Sequence, residues 1–161
     1  MATLHFISGL AGSGKTSLAR QLAIETPAIV MCEDEWIARL ADPIENLQQY
    51  LTTAAKIRSV IAPLSIELLN LGISVVFDFA GNTARDRAWV RSIFESAKAD
   101  HLLHCLQADE AICKARVRRR NLSQPAGIYF GTVTEQQLDE VNRFFEPPDR
   151  DEGFTMLIHE A

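Results

Sequence analysis

The sequence predicts an α/β domain with a five-stranded parallel sheet and helices on both faces, three layers in one unit spanning residues 1–161. Three observations carry this. Five short apolar runs recur along the chain, longer stretches of helical periodicity separate them, and the first run passes through a Gly-rich turn directly into a helix. A length of 161 residues suits one domain with a single sizeable core, and 47% apolar with 23% charged residues is the balance of an ordinary soluble globular protein.

The expected strands are LHFIS (4–8), AIVMC (28–32), ISVVFDF (73–79), HLLHCLQ (101–107) and FTMLIH (154–159). Each is nearly continuous in apolar residues, as strands covered on both faces are. Between the first two, Lys15 to Glu25 sets Leu18 and Leu22 on one helical face and stops at Thr26-Pro27. A helix begins near Trp36. From Leu47 a long one follows, with Leu47, Ala54, Ile61 and Leu68 recurring every seven and Tyr50, Ile57, Leu64 and Leu71 beside them. Pro63 is expected to kink or divide it, and Gly72 to close it.

Residues 84–98 put Trp89, Val90, Ile93, Phe94 and Ala97 on one stripe behind a Thr83/Asp86 start. Residues 109–120 form an Arg-rich helix. Thr134 with Gln137 opens a last helix with a capping box, carrying Leu138, Val141 and Phe145 until Pro147-Pro148. Between these two helices lies the most loop-like stretch, NLSQPAGIYFGT (121–132).

Net charge −5 argues against a protein that coats nucleic acid. No apolar run approaches the roughly 18 residues that span a bilayer, and the start MATLHFISG has no basic n-region, so a cytoplasmic protein with no membrane partner is expected, as monomer or dimer. Cys32, Cys105 and Cys113 are odd in number and lack C-x-x-C spacing, which predicts free thiols in a reducing compartment. His5, His101, His104 and His159 lie in or beside strands without metal-ligand spacing and are expected to be structural.

The chemistry concentrates in a few places. ISGLAGSGKTSLARQL (7–22) fills the pattern G-x-x-x-x-G-K-[ST] with Gly9, Gly12, Gly14, Lys15 and Thr16. Such a loop turns its N–H groups onto phosphate oxygens and the helix behind it offers its positive end, while the lysine reaches the β- and γ-phosphates and the Thr16 hydroxyl ligates Mg²⁺. Gly9, Gly12, Ser13, Gly14, Lys15, Thr16 and Ser17 form the expected ATP-binding set. Asp78 ends SVVFD, the form of a Walker B strand, and is the second expected Mg²⁺ ligand.

The second strand ends in CEDEW (32–36) at the sheet edge where ligands bind. Glu33 or Glu35 is explained by a solvated acidic helix start. Asp34 is expected to accept the proton of an attacking hydroxyl across the cleft from the cradle. KARVRRRN (114–121) places Arg116, Arg119 and Arg120 on one face and Arg118 on another, where it is read as solvated. With the loop that follows, Arg116 and Arg120 are expected to neutralise charge on the transferring phosphoryl from a lid of about residues 116–134.

The set GLAGSGKT, an Asp just after the second strand, a strand ending FDFAGNT, and KARVRRRN before a lid resembles the P-loop small-molecule kinases. It is similar to polynucleotide kinase, chloramphenicol phosphotransferase and zeta-toxin domains, and most like the ATP-binding kinases grouped with AAA-type ATPases. The resemblance runs over nearly the whole chain. It implies a P-loop NTPase fold with sheet order 2-3-1-4-5, Asp34 as catalytic base beside Lys15, Arg116 and Arg120 as lid arginines, and Asn82, Thr83 and Arg87 near the acceptor.

The function expected is therefore Mg-ATP-dependent transfer of the γ-phosphoryl group to a hydroxyl of a small molecule. The alternatives are a nucleotide-hydrolysing switch acting on a protein partner and a 5′-hydroxyl kinase of nucleic acid. An acid at the acceptor edge favours the first, because a switch has no use for it.

Overall fold

A computed structural model describes residues 1–40, 44, 46–126 and 131–160. Its elements alternate as the apolar runs require. Strand β1 (Thr3–Ser8) is followed by α1 (Lys15–Glu25), β2 (Ala28–Cys32), α2 (Glu33–Leu40), α3 (Leu47–Asn70), β3 (Ser74–Asp78) and α4 (Ala84–Ala97). Then come β4 (Asp100–Gln107), α5 (Glu110–Ser123), α6 (Glu135–Arg143), a 3-10 turn (Arg150–Glu152) and β5 (Met156–Glu160). All pairings are parallel and the sheet order is β2-β3-β1-β4-β5, the P-loop NTPase arrangement. Residues 127–130, at the centre of the expected lid, lie outside the described residues.

Alternation along the strands sorts the core into two layers. Leu4, Phe6, Val75, Phe77 and Leu103 meet Ile57, Ile61, Leu69, Val90, Ile93 and Phe94, from α3 and α4. Ile7 and Val76, on the opposite side of the sheet, meet Ala19 and Leu22 of α1. The five strands lie within a residue or two of the runs read from the sequence.

Helix α3 is not divided at Pro63, one of the two outcomes expected there, and continues to Asn70. The seven-residue repeat also fails after Ile61: the buried positions become Ile61, Ser65 and Leu69, while Leu64 and Leu71 are exposed. A straight helix of 3.6 residues per turn drifts about 20° per heptad, so over three turns the buried stripe passes to the i+4 series. At the helix end, Gly72 N donates to Leu69 O and Ile73 N to Leu68 O, the closure that Gly72 predicts.

The histidines have internal partners. His5 Nδ1 lies 3.1 Å from His104 Nε2, and His104 Nδ1 lies 2.9 Å from His159 Nε2, a chain of rings across β1, β4 and β5. Burial, then its two histidine neighbours, lower His104 to about 4. The three thiols are free, with Cys32 and Cys113 buried. Among the described residues no helix is long and apolar enough to cross a membrane.

Candidate active site

The cradle is built by the contiguous residues 9–16 between β1 and α1. Gly12 has φ +82°, and a Cβ there would lie 2.6 Å from the Cys113 carbonyl, so glycine lets α5 pack directly on the loop. Helix α1 has no capping side chain and no acid in its first turn, which leaves its N–H groups for an anion. Lys15 Nζ donates to the carbonyls of Gly9 and Leu10, at 2.8 and 2.9 Å. Burial holds this ammonium below the usual lysine range, while Asp78 and Asp34 act to keep it charged.

Cys32 and Asp78 are register partners at the ends of β2 and β3, and the Cys32 thiol donates to Asp78 Oδ2 at 3.5 Å. Burial and then the Asp78 carboxylate push that thiol up to about 12, so it remains a donor. Asp78 is itself buried, with a weak thiol donor beside it and Lys15 close by. Its carboxylate and the Thr16 hydroxyl in the first turn of α1 are hard oxygen donors that fit a Mg²⁺ ion brought in on a nucleotide. Ser13 is buried and Ser17 exposed.

Asp34 sits in the first turn of α2, which begins at Glu33 rather than near Trp36. Its side chain meets solvent on one side and is crowded on the others. Burial, then the Glu33 and Asp78 carboxylates, push its carboxyl up to about 6, against the pull of Lys15 and Arg120.

Of the two acids read as a solvated helix start, Glu33 or Glu35, Glu35 fits and Glu33 does not. Glu33 is 1% exposed, and Arg58 of α3 grips it, Nε to Oε1 at 2.7 Å. The same guanidinium bonds Asp86 Oδ1 at 2.6 Å and lies 5.1 Å from the Trp89 ring centre. Arg58 thus ties the start of α2 to the start of α4, where the Thr83 hydroxyl caps the helix. Tyr50 joins this wall. Burial, then Asp34 and Glu33, push its phenol well above the ordinary range, so it stays a neutral hydroxyl. Glu35 faces out and pairs with Arg20 at 3.5 Å.

The arginines of α5 divide. Arg116 donates to the Ser13 carbonyl of the cradle at 3.0 Å, and Arg120 acts electrostatically on both Lys15 and Asp34, its Nε buried without a partner among the described residues. Arg118 is not merely solvated, since it pairs with Glu135 of α6. Arg119 is exposed. Asn82 is buried, with its Oδ1 unpartnered among the described residues.

Arg87 is placed otherwise than expected. It is wholly buried, with Nε and Nη2 on the Glu152 carboxylate at 2.6 and 2.8 Å and Nη1 on the Gly81 and Glu146 carbonyls at 3.3 and 2.8 Å. It fastens the C-terminal segment to the β3–α4 loop and spends four of its five N–H donors there. Gly81 belongs to the same construction, because a Cβ there would fall 2.3 Å from the Phe6 ring.

Sequence reasoning missed Arg58, Tyr50 and Asp86 as wall residues, and Asn142 at the cradle. For Arg58 a signal existed: it stands at i+4 from the buried Ala54, a charge at the rim of an apolar stripe. A depression lined by Gln48, Leu51, Thr52 and Ser59 lies on the exposed face of α3 and includes none of these groups.

A family model described as an AAA domain matches residues 4–148. No curated protein matches the chain. Among solved structures, one from Chloroflexus aurantiacus superposes with TM-score 0.76 at 16% identity over 99% of this chain and 85% of its own. A sugar kinase of Janibacter sp. gives 0.65 at 16% identity, covering 99% and 86%. Kti12 of Chaetomium thermophilum in complex with ADP-AlF3 gives 0.67 at 14% identity, covering 96% and 88%.

Proposed function

The chain belongs to the AAA-domain family, and from that premise we propose that it is a P-loop kinase transferring the γ-phosphoryl group of Mg-ATP to a hydroxyl of a small molecule. The observation that carries the reading is Asp34, a carboxylate raised to about 6 across from the cradle lysine. A phosphoryl acceptor needs its proton taken at the moment of attack, and a base poised near neutrality does this. An attacking water must lose a proton as well, so the dependence of ATP use on an acceptor is what separates transfer from hydrolysis.

In this mechanism Lys15 and the cradle N–H groups hold the phosphates, and Thr16 and Asp78 would hold Mg²⁺, which would supply neutralisation of the phosphate charge. Asp34 accepts the hydroxyl proton. Arg116 and Arg120 approach from α5 and stabilise charge on the transferring group. Asn82 and Thr83 border the acceptor, with Thr83 doubling as the cap of α4.

Charge bears on the acceptor. Arg58 is already matched by Glu33 and Asp86, and Arg87 by Glu152, so the wall around Asp34 has no guanidinium in surplus from within. A neutral polyhydroxyl compound suits that wall, whereas a polyanion such as nucleic acid meets its carboxylates. The test is an ATP-consumption screen over hydroxylated compounds, with Asp34→Ala as the blank. A compound that drives ATP use in the wild type alone identifies the acceptor class. ATP use that is independent of every acceptor and undiminished in the variant would establish a nucleotide switch instead.

A further inference from the structure

Asn142, in the last turn of α6, reaches the cradle from 131 positions away in sequence, its Oδ1 accepting the Ala11 N–H at 3.3 Å. Its other branch, Nδ2, is buried and has no hydrogen-bond partner among the described residues. The anchor settles which way the amide faces, since a flip would set donor against donor at Ala11. A buried amide donor without an acceptor is uncommon in folded proteins and calls for one.

The residue is held from both sides. Upstream, α6 is fixed by the Thr134/Gln137 capping box, by buried Leu138 and by the Lys114–Asp139 pair at 2.8 Å to α5. Downstream, Glu146 N donates to the Asn82 carbonyl at 2.7 Å, and Glu146 Oε2 accepts the Ala84 N–H at 2.7 Å. An unpaired donor held this firmly against a phosphate loop is preorganised for an anion.

We propose that Asn142 is a nucleotide-binding residue: its Nδ2 donates to an oxygen of the polyphosphate in the cradle while its Oδ1 keeps the Ala11 N–H. The proposal rests on the cradle being the nucleotide site. A neutral amide adds direction without adding charge to that of Lys15, Arg116 and Arg120. The first two residues come to the cradle from α1 and α5, and Asn142 brings α6 to the same place.

The experiment is calorimetric titration of the full chain with a non-hydrolysable ATP analogue and with AMP, both with Mg²⁺. It compares wild type, Asn142→Asp, Asn142→Ala and Lys15→Ala, alongside their melting temperatures without ligand. Asn142→Asp keeps an oxygen for Ala11 and sets a second oxygen where the donor stood. It should weaken the analogue by about ten- to a hundredfold, the worth of a hydrogen bond to a charged group, and leave AMP unchanged. Asn142→Ala should weaken the analogue less, because it removes the donor without repulsion.

A residue that only props the loop gives the reverse order, since alanine loses the Ala11 anchor and aspartate retains it. That order, equal losses for AMP and the analogue, or wild-type binding by Asn142→Asp would each overturn the proposal. Lys15→Ala separates the two readings. If it also binds the analogue normally, the cradle assignment falls and Asn142 with it; if only Lys15→Ala is impaired, the Asn142 proposal alone fails.

Discussion

Two helices start at the same edge of the sheet, α1 after β1 and α2 after β2, and they start in opposite ways. Helix α1 begins behind Gly14 with no acid in its first turn. Helix α2 carries Glu33, Asp34 and Glu35 in its first turn. Both present the positive end of a helix dipole to the cleft. At α1 that end is left for an anion from outside, while at α2 the chain's own carboxylates occupy it. The difference fits the proposed division, with phosphate on one side of the cleft and proton acceptance on the other.

The two sides also differ in assembly. The cradle is eight consecutive residues, whereas the wall around Asp34 draws on α2, α3 and α4 through Arg58, which bonds partners 25 and 28 positions away. Substitutions on the cradle side should therefore act on nucleotide use and spare the fold. Those on the other side should split between chemistry and stability.

The largest effect is expected at Asp34. Asp34→Asn should keep ATP affinity and lower phosphoryl transfer roughly 10²- to 10⁴-fold, the usual worth of a general base. Single-turnover kinetics with an acceptor from the screen checks it, and equal losses in binding and transfer would break the division between the two sides.

Next comes the clasp. Arg58→Met leaves Glu33, with its side chain 2% exposed, as an uncompensated buried charge, which should cost about 3–5 kcal/mol in urea unfolding. Adding Glu33→Gln should recover most of that loss. A double variant no more stable than the single one would show that Arg58 acts through its contact with Trp89 instead.

Lys15→Ala should remove about 2–4 kcal/mol of transition-state stabilisation, a loss of roughly 30- to 1,000-fold in turnover. Its melting temperature should stay near that of the wild type. A drop in stability to match Arg58→Met would mean that the Lys15 bonds to Gly9 and Leu10 hold the fold as well as the site.

The smallest effect is in pH. The Asp34 carboxyl is raised to about 6, and only its deprotonated form accepts a proton. Turnover should therefore be level above that value and fall as pH drops through it. Glu33→Gln removes one of the two like charges that raise it, so the acid limb should move to lower pH. An unmoved limb in the pH–rate profile would assign it to another group.

Legibility follows the same division. Gly9 to Thr16 could be read directly because the loop's function resides in local backbone geometry, which consecutive residues specify. Strand order follows from the family resemblance, and the sheet has it. Glu33 and Glu35 could not be told apart because a helix-start acid looks the same in sequence whether water or a buried arginine meets it. Arg87 misled for the same reason: its position near the acceptor loop is close in sequence, while its partner Glu152 lies 65 residues on.

The sequence by itself determined the alternation of strands and helices, the phosphate cradle and the acid at the end of β2, since periodicity and spacing encode these within a few residues of chain. Only the tertiary structure decided which charges are free and which are matched. Glu33, Arg58 and Arg87 pair internally, while Asp34, Arg120 and Asn142 keep groups in hand, because pairing depends on distances between elements that no local pattern carries.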